Sequence, residues 1–273
     1  MAKTSTKKAV KDTETTVKEE NLHEDKEGVI MGLDISTACI GICLLRYDES
    51  HPYGEILELT HVNPKVSGKI KGVESLFIKK RIFSDEFLTK WKDKGIKRVI
   101  IESPLLRSNN VNTVGVLLQF NGMVSDAVYN ELGIVPEYIS SYDARKYSFP
   151  DFMAIRKFGK DGESYSKEKL IHAVKNDKFV LFGGYVWDID KKTIIQAKVA
   201  ELFPDIPWLL DKSGELKKEN FDACDAYVAC LGKLNKDRYG ELTPKATDIE
   251  IGEDKITFNL HYWDRTEPRT VIL

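Results

Sequence analysis

The sequence predicts an α/β protein: a mixed five-stranded sheet flanked by helices, with an inserted helix and hairpin and a C-terminal β extension. Three observations predict it. Three runs of strand length, residues 29–34, 40–47 and 55–62, follow one another with short polar connections, as in an antiparallel meander. A strand, helix, strand alternation then fills residues 98–140, the pattern of a parallel crossover. Two further helical patterns return at 192–203 and 221–234.

Taken in order, residues 29–34 are apolar and close on Asp34, and residues 40–47 resume after the polar loop 35–39. Residues 55–62 make a weaker third strand. Residues 73–91 place Leu76, Phe77, Lys80, Phe83, Phe87, Leu88 and Trp91 at helical spacing, and Gly95 ends that helix. Residues 98–102 form a buried-type strand that closes on Glu102, residues 112–132 a helix, and residues 135–140 another strand. The segment 150–188 breaks the rhythm with Gly159, Gly162 and the pair Gly183 and Gly184, so a helix and a hairpin are inserted there. Residues 248–263 alternate as a hairpin around Glu253 and Asp254. The organisation is therefore a disordered tail at 1–28, a main domain at 29–238 and a β extension at 239–273.

Composition limits the classes of function. The 273 residues carry 41 Lys and Arg against 43 Asp and Glu, for a net charge of −2, and 42% are hydrophobic, enough for a core. Full disorder is excluded. No apolar run approaches the ~18 residues of a membrane helix, and the polar start is unlike a signal peptide, so a soluble, unsecreted protein of the cytoplasm is expected. Cys39, Cys43, Cys224 and Cys230 form no CxxC pair, and buried thiols in a reducing compartment are the expectation over a zinc site.

The distribution of charge says more than its sum. Residues 1–28 hold six Lys and seven acids with almost no bulky apolar side chain, too little to offset ordering entropy. Residues 64–98 hold eleven Lys or Arg against four acids, and residues 145–198 twelve against seven, whereas residues 199–273 hold ten against fifteen. Basic surfaces beside an acidic one suit a polyanion held near a cation site. Lys79, Lys80, Arg81, Lys191 and Lys192 are the candidate phosphate contacts in the two basic stretches.

Four acids stand where acids are costly. Asp34 and Glu102 close apolar strands, and Asp222 and Asp225 interrupt the apolar helix Phe-Asp-Ala-Cys-Asp-Ala-Tyr-Val-Ala-Cys. Carboxylates on core elements cost several kcal/mol unless a cation or hydrogen bonds compensate them. The carboxyl ends of adjacent strands face one crevice, and a spacing of three puts Asp222 and Asp225 on one helix face near its positive end. Oxygen donors without thiol or imidazole favour Mg²⁺ or Mn²⁺.

This order of residues resembles a known family. Gly-Leu-Asp34-Ile-Ser-Thr followed by Gly41, then Ile-Ile-Glu102, then Gln119-Phe-Asn-Gly122, then Asp222-Ala-Cys-Asp225-Ala resembles the RuvC Holliday-junction resolvases of the RNase H-like superfamily, phage-type versions above all. The likeness spans about residues 29–235. It implies an RNase H-like fold, a Mg²⁺-dependent endonuclease for branched DNA (a four-way junction or a fork), a homodimer, and a location in the cytoplasm or, if phage-encoded, the host cytoplasm. It matches Asp34, Glu102, Asp222 and Asp225 to the family's four metal-binding carboxylates. It sets Arg145 and Lys146 where the family has basic residues beside the scissile phosphate. The insertion at 150–188 and the extension after Tyr239 have no counterpart in the compact family, and the segment after Glu102, which contains the candidate DNA contact Arg107, lacks an aromatic wedge.

The chemistry is coherent without the family name. Phosphodiester hydrolysis needs charge neutralised on a nonbridging oxygen, a deprotonated water and a stabilised leaving oxygen, which two Mg²⁺ ions ~4 Å apart supply. Asp34 is the expected bridging ligand, with Glu102 and Asp222 or Asp225 completing the two shells. Lys146, or one of Lys191 and Lys192, steadies the phosphate as a point charge. Ser36 and Thr37 read as loop hydrogen-bonders rather than nucleophiles. Two alternatives remain in view. Leu33-Asp34-Ile-Ser-Thr followed by Gly41 also resembles the first phosphate-binding turn of actin-like and sugar-kinase nucleotide-binding proteins, although no second Asp-Gly phosphate loop follows. The other is a non-cleaving DNA-binding protein on the same fold.

Overall fold

In the computed structural model, which describes residues 27–104, 110–155, 163–176, 181–182, 190–263 and 268–273, the sheet is built outward from its central strand. Strand β1 (Gly28–Ile35) pairs antiparallel with β2 (Ile40–Tyr47) and parallel with β4 (Ile96–Glu102). Outside them lie β3 (Glu55–Val62), antiparallel to β2, and β5 (Glu137–Ile139), parallel to β4. The order β3-β2-β1-β4-β5 is the mixed five-stranded sheet expected of an RNase H-like fold.

Strand alternation sorts the side chains into two cores. Met31, Leu33 and Ile35 of β1, with Ile42 and Leu44 of β2 and Val99 and Ile101 of β4, face the helical run α1 (Gly72–Phe83) to α2 (Thr89–Trp91) and helix α3 (Val111–Leu132). The intervening residues, Ile30, Cys43, Leu45 and Ile100, face α4 (Ser141–Ser148), α6 (Lys191–Leu202) and α7 (Phe221–Tyr239). Helix 73–91 of the sequence reading is thus present, but with one widened turn over Ser84–Leu88, where the Thr89 amide and hydroxyl both donate to the Ser84 carbonyl. No apolar periodicity announces helix α4, and the sequence reading assigns it no element; Ser140 caps it by accepting from the Asp143 amide at 3.0 Å.

Helix α7 is buried on nearly every side from Ala223 to Leu234, because the sheet covers one face and α4 and α6 the others. Its approach to the sheet requires glycine at two positions. A Cβ on Gly32 would stand 2.1 Å from the Ala226 carbonyl oxygen, and one on Gly41 would stand 1.9 Å from that of Asp222.

The remaining segments differ from the sequence reading. Helix α5 (Lys167–Lys175) stands for the inserted helix. The described hairpin partner is different: β7 (Leu181–Phe182) pairs antiparallel with β6 (Ala154–Ile155) on the far side of α5. The Gly183 and Gly184 turn, Arg107 and residues 1–26 of the expected tail lie outside the described residues. The C-terminal extension has three strands rather than two, β8 (Lys245–Ile251), β9 (Ile256–His261) and β10 (Arg269–Ile272). A hairpin needs a surface to cover, and here the chain provides it: Ile256, Phe258, Leu260 and Val271 pack with Tyr147 of α4, with Met153 just before β6, and with Val174 of α5. Among the described residues, no helix is long and apolar enough to cross a membrane.

Candidate metal centre

Asp34 follows Ile30 and Gly32 on the α7 face of β1, and Glu102 follows Ile100 on the same face of β4, by the two-residue period of a strand. Leu33 is in register with Ile101, so the two acids emerge side by side at the carboxyl ends of parallel strands. Helix α7 brings its first turn to that edge, because Gly41, the register partner of Asp34, lets the Asp222 backbone rest on β2. The start of α7 is fixed from behind. Asn220 donates from Nδ2 to the carbonyls of Leu209 and Lys217, both at 3.0 Å, and Gln196 donates to Lys217 at 2.6 Å.

The result is a cluster in which Asp34, Asp222 and Asp225 each offer a carboxylate oxygen, all within 4.8 Å of one another. Glu102 falls outside that group yet close enough to repel Asp34 and Asp225. Burial, reinforced by Asp225, pushes the Asp34 carboxyl up to about 7. Burial, reinforced by Asp34, pushes that of Glu102 up to about 8. Asp225 is raised by burial too, although Lys192 opposes the shift.

Two cations answer this charge. The Lys192 ammonium, from the first turn of α6, lies 2.8 Å from Asp225 Oδ2 and 3.3 Å from Asp222 Oδ1. Arg145 of α4 acts on Glu102 and Asp225, and its Nε is buried without a hydrogen-bond partner. Of the expected basic pair it is therefore Arg145, not Lys146, whose charge reaches the carboxylates. The neighbouring position on α4 turns Lys146 elsewhere: its Nζ lies 3.5 Å from Glu241 of the extension and 4.7 Å from the Tyr147 ring centre.

The other described candidates are engaged elsewhere or exposed. Lys79 donates to the Thr37 carbonyl in the β1–β2 loop beside Asp34. Lys80 pairs with Asp126 of α3 at 3.7 Å, Arg81 with Asp85 at 3.3 Å, and Lys191 is exposed. Ser36 closes the loop, accepting from the Cys39 amide at 3.0 Å and donating to the Cys39 carbonyl at 2.9 Å, the loop-bonding role read from sequence. The four cysteines are buried free thiols. Sequence reasoning missed Asn220 and Gln196, since no residue pattern marks an amide that clamps a loop, and missed that the Cys39 thiol faces Asp222.

The donor set fits a hard divalent cation. It consists of carboxylates alone, crowded and raised in pKa, and a dication is the species that would let them ionise together. Protons and metal ions should therefore compete. Folded, Asp34 and Glu102 keep their protons to about pH 7 and 8, whereas an unfolded chain loses them near pH ~4. Between those limits the folded state binds more protons, so these two groups lower the stability of the metal-free protein as pH rises, with no further loss above about pH 8. Glu102→Gln protein lacks its part of that loss. Thermal melts in EDTA should show wild type losing ground to Glu102→Gln as pH rises, and Mg²⁺ should reverse the loss. Parallel curves would contradict the assignment of raised pKa values.

Fold and cluster together define an α/β protein with a carboxylate centre suited to a hard divalent cation. No family model and no curated protein matches the chain. Among solved structures it is similar to Thermus thermophilus RuvC, with 13% identity, a TM-score of 0.44 and coverage of 78% of this chain and 96% of that one. The same protein in complex with a Holliday junction substrate matches with 10% identity, a TM-score of 0.45 and the same coverage. A Ppx/GppA family member from Aquifex aeolicus matches with 10% identity, a TM-score of 0.34 and coverage of 77% and 90%. Likenesses at this level do not distinguish one activity from another.

Proposed function

We propose that this chain is a Mg²⁺-dependent, structure-selective endonuclease that cuts branched DNA, a four-way junction or a fork, by two-metal phosphodiester hydrolysis. The observation that carries the reading is the convergence of Asp34, Asp222 and Asp225 within 4.8 Å, with Glu102 beside them. Asp34 is central, flanked by Glu102 on one side and α7 on the other, and these four side chains would hold the ions. Mn²⁺ substitutes, because the donors are all oxygen. When bound, the ions neutralise a nonbridging oxygen, activate a water and stabilise the leaving oxygen. Arg145, whose Nε is otherwise unpaired, donates to the phosphate, and Lys192 lies within reach of the same centre. Lys79, Lys80, Arg81, Lys146 and Lys191 belong to the wider polyanion surface, and Arg107 is a further proposed DNA contact.

The nucleotide-binding alternative uses the turn after Asp34 as a phosphate cradle. In this turn the amides of Ser36, Ala38 and Cys39 are already donating, to the Cys39 carbonyl and to the Ser36 hydroxyl, which supports the nuclease reading. One experiment separates the classes: labelled four-way junctions, forks and linear duplex incubated with Mg²⁺, beside an assay of ATP hydrolysis. Metal-dependent cleavage that prefers branched DNA is expected. ATP hydrolysis without cleavage would replace the reading by the alternative, and binding without cleavage would make the chain a DNA-binding protein.

A homodimer belongs to this proposal, since two equivalent cuts in one encounter need two active sites. The amino-terminal half of α3 is the proposed contact. Val124 of this helix is in the core and Met123 packs against it, but Leu118 is 42% exposed and its neighbours Val111 and Val116 are 81% and 41% exposed. Sedimentation at micromolar concentration should show a dimer that Leu118→Asp disrupts; a monomeric wild type, with and without a junction, would remove this part.

A further inference from the structure

Lys192 stands where the proposed reaction needs a metal. Its ammonium is within 3.3 Å of both Asp222 and Asp225, and its charge also acts on Asp34 and Glu102. Asp225 is 6% exposed and so has little water to solvate it, whereas the lysine side chain is 43% exposed and can swing outward without unpacking a core. The backbone beneath it is held: Asp190 accepts from the Lys192 amide at 3.2 Å and from the Thr193 hydroxyl at 3.0 Å, so α6 stays capped while the side chain moves.

Resting on the divalent-metal reading, we infer that Lys192 is the resident cation of the metal-free centre: it pairs with Asp222 and Asp225 until a divalent ion displaces it, and the displaced ammonium then meets the phosphate. The physical basis is exclusion. Two carboxylates cannot ligate a dication and keep an ammonium 2.8 Å away at no cost, because like charges at such distances repel strongly beside a carboxylate as buried as Asp225. Without the metal, the same carboxylates need a cation to remain folded around. One lysine serves both states, and it is a positioning residue until a substrate phosphate is bound.

The wild-type protein carries the first test. Labelling with an amine-reactive reagent, read residue by residue by mass spectrometry, should find Lys192 protected in EDTA and several-fold more reactive when Mn²⁺ is added, while Lys198 of the same helix does not change. The second test is Mn²⁺ binding by titration calorimetry. Lys192→Met should bind Mn²⁺ on the order of ten-fold more tightly than wild type, since no cation has to be displaced. Lys192→Arg should stay near wild type, as should Lys198→Met. Lys192→Met should also melt at a lower temperature in EDTA and regain more on adding Mn²⁺ than wild type does. Wild type and Lys192→Met binding Mn²⁺ equally, with Lys192 labelling unaltered by the metal, would overturn the inference and leave the metal site standing. No Mn²⁺ binding by wild type, or binding that Asp225→Asn does not weaken, would instead overturn the metal reading on which it rests.

Discussion

Asp34→Asn protein is expected to bind branched DNA at least as tightly as wild type and to cut it on the order of 10³-fold more slowly, the rate equivalent of about 4 kcal/mol of lost transition-state stabilisation. The amide keeps the shape and removes the charge of the residue that Asp222 and Asp225 meet within 4.8 Å. Binding persists because an acid facing phosphate has gone. A second consequence separates this role from a structural one. The Asp34 carboxyl is raised by burial and by Asp225, so the neutral amide removes a repulsion, and the metal-free variant should melt above wild type at about pH 8 and gain less from Mg²⁺. A variant that is inactive because it is misfolded would melt lower. Glu102→Gln and Asp225→Asn should follow Asp34→Asn in cleavage, and full activity in any of the three would remove that residue from the centre.

Gly41→Val is expected to destabilise the protein by about 3 kcal/mol or more, the upper range of overpacking, and to weaken Mn²⁺ binding in the molecules that remain folded. The added Cβ would stand 1.9 Å from the Asp222 carbonyl oxygen, and backbone does not move aside as a flexible side chain does. Relief requires α7 to lift from β2, and its first turn carries Asp222 and Asp225 with it. Gly115→Ala provides the contrast: it sits within α3 with open space around it, so the change should be neutral or stabilising by about 0.5–1 kcal/mol. Denaturant midpoints and Mn²⁺ titrations of the two variants check both halves. Equal stability of the two would mean that α7 has slack.

The sheet and its flanking helices were legible because their periodicities are local. The meander of β1 to β3, the run from α1 to α2, and helices α3, α6 and α7 all follow from apolar spacing within each element. Helix α4 was not legible. Its eight residues, Ser-Tyr-Asp-Ala-Arg-Lys-Tyr-Ser, bury only Ala144, Tyr147 and Ser148, and a helix of two turns with so small an apolar face is set by what it packs on. The same holds for β6 and β7, two residues each, and for β10, whose register comes from β9 rather than from its own four residues.

The candidate site divides along the same line. An acid that ends a buried strand, or interrupts a buried helix, is visible in sequence because its desolvation is costly wherever the chain goes, and Asp34, Glu102, Asp222 and Asp225 were all found on that ground. Which cations answer them was not visible. Arg145 and Lys146 are adjacent in sequence, yet α4 turns one toward Glu102 and Asp225 and the other toward Glu241. Lys192 and its neighbour Lys191 carry the same charge, yet only Lys192 is within 3.3 Å of the acids. The sequence by itself determined the sheet, its main helices and the four carboxylates, because those depend on the burial of each element. Only the tertiary structure decided the centre's counter-charges and geometry, because a long, flexible cationic side chain has no preferred partner until the packing of α4, α6 and α7 selects one.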